Sequence, residues 1–242
     1  MLTLAALGLA AAIAAPAAAQ PITRCAACHI ANLAHVPGGE HVGEWQRSAH
    51  ARQGVGCHEC HGGNQWAIEA GEAHRGVLGP AHPLSPVNRL NVATTCARCH
   101  RRNALAYGTT LHATLVDIED RRAPVCTTCH GIMSARVPSP ATLEARCASC
   151  HPPGSPRASY PGRMRDALEG LTVEQTRAAA LQDQVERMTD YSTRVALLGS
   201  LLDAREQLKT AVEAIHRLDP LAVVQETAAV KRRLDRVAAS AR

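Results

Sequence analysis

The sequence predicts a mainly α-helical chain with extensive loops, in two parts. A loop-rich N-terminal part lacks the bulky side chains of an ordinary core, and an antiparallel helical bundle follows it. Three observations predict this. The 242 residues include no Phe, two Trp and three Tyr, although aromatic rings normally supply much of a core's buried area. All ten cysteines lie between Cys25 and Cys150, with Pro- and Gly-rich connections such as "GVLGPAHPLSPVN" between them, a composition that favours loops. Residues 163–242 have no Cys and a single proline, Pro220, and carry apolar residues at helical spacing.

The chain opens with an apolar run from Leu2 to Ala15 and the small-residue triplet Ala17-Ala18-Ala19. This pattern predicts an export signal over residues 1–19, cleaved after Ala19. The leader carries no Lys or Arg, so the alternative is an uncleaved Ala-rich anchor, the one route by which the chain would engage a membrane. No later run approaches the roughly 20 apolar residues of a membrane span. The expected location is periplasmic. The formal charge is +5, but the basic residues are scattered Arg with few aromatics between them, which does not match a nucleic-acid interface.

Five copies of one motif use every cysteine: "CAACH" (Cys25, Cys28, His29), "CHECH" (Cys57, Cys60, His61), "CARCH" (Cys96, Cys99, His100), "CTTCH" (Cys126, Cys129, His130) and "CASCH" (Cys147, Cys150, His151). Ten Cys in an exported chain would ordinarily mean five disulfides. That reading gives no reason for the His after every pair. Zinc ribbons join Cys-x-x-Cys units in pairs, and five units leave one over. Cys-x-x-Cys-His is the attachment signature of c-type haem. Two thiols add to two vinyl groups on one porphyrin edge, and the following His offers an axial nitrogen to the iron. Five c-type haems within residues 25–151, about one per 25 residues, would themselves be the core. No segment that short buries a sizeable core alone.

Eight His lie outside the motifs, and a saturated electron carrier needs five of them as second axial ligands. An internal repeat ranks them. "EWQRSAHARQGVGCHECHGG" and "AYGTTLHATLVDIEDRRAPVCTTCHG" share an aromatic, then Ser or Thr three residues later, then His, then Cys-x-x-Cys-His-Gly. The chain therefore reads as two dihaem units, 25–61 and 96–130, plus a fifth haem. In each unit a short helix would put the ring (Trp45, Tyr107) and the imidazole on neighbouring positions. His50 and His112 are the leading distal ligands, with His74 next. His35, His41 and His82 compete for a further haem. His58, between two attachment cysteines, is turned from the iron. Met133, in "CHGIM", is either a thioether ligand or an apolar filler.

In the last third, Thr172-Val-Glu-Gln175 has the form of a capping box and predicts a helix to about Met188. A second helix is expected from about Ser192, with a seam of Leu201, Ala204, Leu208, Ala211, Ile215 and Leu218. Asp219-Pro220 then opens a third, to about Ala238. Charges here balance at 13 basic and 12 acidic, as on a solvated helical face. His216, at the end of the second helix, is either a dipole-favoured terminal His or a haem ligand that pins the bundle to the first part.

The segments "WQRSAHARQGVGCHECHGGN", "LNVATTCARCH", "APVCTTCHG" and "AIHRLDP" resemble the periplasmic multihaem c-type cytochromes with bis-His haems, which serve nitrogen, sulfur and metal respiration. The resemblance implies closely stacked haems that relay electrons. In many relatives a His stands where this chain has Met133. The expected organisation is a signal over 1–19, a pentahaem cytochrome c domain over 20–162 and a helical bundle over 163–242. The expected function is electron transfer to and from redox proteins: other cytochromes, a quinol-oxidising membrane cytochrome or a terminal reductase. The alternative is an oxidoreductase acting on a small nitrogen or sulfur compound at one open-site haem.

Overall fold

The structure is a computed structural model that describes residues 23–32 and 39–241. The predicted leader and His35 lie outside these residues. Among the described residues the fold is all helix and loop, with no strand. The N-terminal part contains α1 (Arg24–Ala31), α2 (Glu40–Gln46), α3 (Ala49–Arg52), α4 (Cys57–His61), α5 (Ala70–Ala73), α6 (Val92–Ala97), α7 (Arg101–Gly108), α8 (Leu111–Asp117), α9 (Cys126–His130) and α10 (Pro140–Ala148). Each is shorter than the roughly 12–15 residues at which an isolated helix becomes even marginal. Side-chain caps start four of them: Thr23 on Ala26 N–H, Ser48 on Ala51, Thr110 on Ala113 and Ser139 on Thr142. Each satisfies a donor that the first turn would otherwise leave unpaired.

Three long helices follow: α11 (Tyr160–Glu186), α12 (Tyr191–His216) and α13 (Pro220–Ser240). They pack pairwise on one another. Met164, Leu171, Val185, Ala204, Ala211, Val223, Val230 and Leu234 are each no more than 1% exposed. Asp190 caps α12 through Thr193 N–H, and Asp219 caps α13 through Ala222 N–H with Pro220 in the first turn. The seam of α12 is as expected at Leu201, Ala204, Leu208 and Ala211, but Ala214 replaces Ile215 as the fully buried residue of its last turn.

Two local expectations change. α11 starts at Tyr160, not near Thr172. The Thr172 hydroxyl caps nothing; it donates to the Leu168 carbonyl one turn back, at 2.8 Å. Burial of Met164, Ala167 and Leu171 carries the helix through the Thr, so packing overrides the capping signal. The segments from Trp45 to His50 and from Tyr107 to His112 are not single helices either. Each breaks in two, because Ser48 and Thr110 are extended N-cap residues that begin α3 and α8.

The two parts make their cores differently. The bundle has one continuous apolar cluster, which reaches Leu143 of α10. The N-terminal part has two small ones: Ala26, Val42, Trp45 and Ala51, and Val92, Val116, Ala123 and Val125. Across the junction, Arg102 of α7 bonds both Glu206 and Glu213 of α12. Arg165 of α11 bonds both carboxylate oxygens of Glu144 of α10, at 2.9 and 3.0 Å. Leu234→Ala, at a fully buried bundle position, is expected to cost about 2–5 kcal/mol, measured as a lower denaturant midpoint for loss of helical circular dichroism.

Candidate haem-binding sites

Three of the five motifs sit on helices, and two run from the last turn of a helix into the turn after it. "CAACH" lies within α1, "CHECH" and "CTTCH" are α4 and α9, and "CARCH" and "CASCH" close α6 and α10. One helical turn brings residues i and i+3 to the same face, so each motif offers two thiols side by side. All ten are free. Gly62 and Gly131 follow the second and fourth motifs at φ +78° and +84°. That is left-handed backbone, which glycine adopts without strain. A Cβ on Gly131 would also lie 2.6 Å from the Ser134 hydroxyl.

Four motif imidazoles face a second imidazole from a distant segment. Ring centres are 6.0 Å apart for His29 and His74, 6.0 Å for His100 and His50, 6.2 Å for His151 and His112, and 6.1 Å for His130 and His216. Metal–imidazole bonds are about 2 Å long, so two such bonds and two ring radii span about 6 Å. The gap therefore suits one iron. For the fifth motif His, His61, burial lowers the pKa first and the neighbouring His41 lowers it next, followed by His29.

The ring nitrogens are prepared for ligation. His74 Nδ1 donates to the Ala70 carbonyl (2.8 Å), His216 Nδ1 to Val212 (2.8 Å) and His130 Nδ1 to Arg136 (2.9 Å). A carbonyl can only accept, so the proton is on Nδ1 and the Nε2 lone pair is left for a metal. Burial lowers His50, His112 and His216, with the facing motif His adding to each shift. It thus favours the neutral form that binds iron.

The sequence candidates sort as follows. His50, His112, His74 and His216 each stand opposite a motif His, and the charge of His41 lowers the pKa of His61 after burial does. His82 is exposed, and its Nδ1 accepts the Leu84 N–H at 3.1 Å; no motif ring pairs with it. His58 bonds Glu59 Oε1 through Nε2 at 3.0 Å. Met133 packs against the cluster around Trp45, while the ring facing His130 is that of His216.

The repeat has hydrogen bonds that sequence reading missed. Trp45 Nε1 donates to the Val55 carbonyl (3.0 Å) and the Tyr107 hydroxyl to the Pro124 carbonyl (2.8 Å). Both acceptors stand two residues before the first Cys of the next motif. Burial pushes the Tyr107 phenol up to about 12, so it stays a donor at neutral pH. The shared aromatic was the signal, but which backbone group it reaches is a three-dimensional fact.

Successive motifs are neighbours. Thr23, which caps α1, lies 4.0 Å from the Cys57 sulfur. Burial and then Cys96 raise the Cys60 thiol. The Cys96 and Cys126 thiols act on each other, which raises the pKa of Cys96 and lowers that of Cys126 to about 7. Arg146 of α10 donates to the Thr128 carbonyl of the fourth motif at 3.1 Å.

The residues fit haem on one further count. Trp66, Ile68, Leu84 and Val137 of the N-terminal part are 74–86% exposed, an apolar surface that porphyrin faces would cover. Among the described residues no three His, Cys, Asp or Glu converge as a metal site. Among the same residues no helix is long and apolar enough to cross a membrane.

Comparison with known proteins points the same way. A family model described as cytochrome c554 and c-prime matches residues 9–62, which include the first two motifs. The C-type polyheme cytochrome OmcC of Geobacter sulfurreducens (strain ATCC 51573 / DSM 12127 / PCA) is 30% identical over 114 residues. The match covers 45% of this chain and 14% of that protein's length. No solved structure matches the chain. The thiol pairs, each followed by His, and the family match over the first two of them make this chain similar to multihaem c-type cytochromes.

Proposed function

We propose that the chain is an exported, periplasmic electron-transfer protein that holds five c-type haems and relays electrons along them in motif order. The single observation that carries this is the imidazole pairing. Four of the five motif histidines face a second imidazole at about 6 Å, and the charge of His41 acts on the fifth, His61, which we assign to it. The pairs are His29 with His74, His61 with His41, His100 with His50, His130 with His216 and His151 with His112. The reading as a reductase or oxidase requires one iron with a free axial position, and this pairing does not favour it. Bound there, haem iron supplies reversible one-electron exchange.

The chain's own residues do the rest. The cysteines attach the porphyrin edges. The carbonyls of Ala70, Val212 and Arg136 fix the tautomer and orientation of three ligands, as second-shell partners do for metal-bound His. Motif order as the order of relay is supported by the neighbouring cysteines and by the Arg146 bond between the fourth and fifth motifs. The division into an N-terminal haem domain and a C-terminal bundle, and redox proteins as partners, belong to the same proposal.

Three measurements test it. Mass spectrometry of the exported protein is expected to give the chain from residue 20 plus five haems, with all ten Cys in thioether linkage; five disulfides or bound zinc would overturn the reading. The reduced protein is expected not to bind CO, whereas stoichiometric CO binding at one haem would favour the enzyme. His216→Ala is expected to turn one haem from low-spin to high-spin and raise its potential, through loss of a nitrogen donor that favours ferric iron. The bundle is expected to stay helical, because Leu201, Leu208 and Leu234 are untouched. Five low-spin haems at unchanged potentials would make His216 a helix-end residue only.

A further inference from the structure

We propose that Trp45 and Tyr107 are positioning residues, each of which fixes the offset between two consecutive haem sites by pegging the His-bearing helix of one to the lead-in of the other. The inference rests on the five-haem reading above. His50, on α3, faces His100 of the third motif, yet α3 leads into the second motif at Cys57. His112, on α8, faces His151 of the fifth motif, yet α8 leads into the fourth at Cys126. Both short helices therefore serve two sites at once, and their placement sets how the two sites lie relative to each other.

The same three hydrogen bonds hold both helices. The N–H of Ser48 bonds the Trp45 carbonyl at 2.8 Å, and that of Thr110 the Tyr107 carbonyl at 2.9 Å, turning the chain at the helix break. Ser48 and Thr110, 0% and 7% exposed, then cap α3 and α8 through Ala51 and Ala113 N–H, at 3.1 and 3.2 Å. Finally the ring tip reaches forward, to the carbonyl two residues ahead of Cys57 or Cys126. The first copy does this with an indole N–H and the second with a phenol O–H.

The intervening loops differ. His50 to Cys57 is a seven-residue step, and His112 to Cys126 is twice as long. The bond lands on the equivalent carbonyl in both, so the target is the motif lead-in and not whichever group the loop leaves nearby. The longer loop has an extra tether: Arg89 Nη2 donates to the carbonyls of Asp120 (2.9 Å) and Ala123. Donors with different chemistry and reach, on loops of different length, meet at one structural position. A polar ring tip in a half-buried site needs a partner, but that need alone does not select the same carbonyl twice. Electron exchange between sites falls steeply with separation, and a site that is present but about 1 Å loose works poorly, which gives the peg its role.

Tyr107→Phe removes one hydroxyl and keeps the ring, so it tests the peg with little change in packing. The expected result is a protein that retains five low-spin haems by mass and spectrum. The electron paramagnetic resonance signals and potentials of two sites, those of the fourth and fifth motifs, are expected to shift, while the other three stay as in the parent. Trp45→Phe is expected to shift the second- and third-motif sites instead. If Tyr107→Phe leaves all five signals and potentials in place, or only lowers the melting temperature, the ring is a packing element and the proposal is overturned. Fewer than five low-spin haems in the parent protein would instead overturn the five-haem reading, so the two failures are distinguishable.

Discussion

The constraint on which the N-terminal architecture depends is the separation of about 6 Å between imidazoles that are 39 to 86 residues apart in sequence. The nearby apolar clusters are small, so packing alone does not hold these rings at a common distance. The cost of bringing such segments together grows only with the logarithm of loop length, about 0.6 kcal/mol per doubling. Closing the 86-residue loop of His130 and His216 is thus little harder than closing the 39-residue loop of His112 and His151. That is why a ligand can be drawn from the far end of α12, beyond two long helices, without a large entropic penalty.

The bundle follows ordinary rules and joins the N-terminal part through three different contacts. One is apolar: Leu143, on the helix of the fifth motif, belongs to the bundle's own core, with Cys147 and Tyr160 packed against it. One is ionic: Arg102 between Glu206 and Glu213, and Arg165 on Glu144. Exposed ion pairs are worth little each, so these orient the junction more than they stabilise it. The third is the pair of His130 with His216. Glu213 lies one turn before His216, so the Arg102 contact and the candidate ligand share one end of α12. The bundle's orientation and the geometry of the fourth site are therefore coupled.

What was legible in the sequence was local chemistry. The motifs, the cap at Asp219, the apolar seam of α12 and the place of His216 at its end could all be read from neighbours a few residues away; the cap at Asp190 could have been. Long-range partnership could not. His41 and His82 are alike as sequence; they differ because the charge of the first acts on His61 while the second closes a turn on Leu84 N–H. The matching of ligands to motifs was closed to inspection for the same reason: His50 stands seven residues from Cys57 yet faces the His of the next motif. The two misread segments failed on competition between signals. Thr172 looks like a cap until burial of Met164 and Leu171 carries the helix through it. Ser48 and Thr110 look like interior residues of one short helix, but each is the cap that breaks it.

These features together explain the shortage of aromatic residues. Porphyrin needs a surface to lie against, and large rings already packed on one another would occupy that surface. Of the three aromatics in this part, Trp66 stays exposed, and Trp45 and Tyr107 sit at the helix breaks that carry candidate ligands, where their polar ends bond the backbone. The other large apolar groups of this region, Ile68, Leu84 and Val137 among them, stay outward-facing, in numbers that a soluble chain without a covering group would pay for in aggregation. The bundle, with a continuous core of its own, has only Tyr160 and Tyr191. On the proposed haem reading, the low aromatic content follows from where the buried area comes from: aliphatic seams in the bundle, and porphyrin faces in the part that carries the motifs.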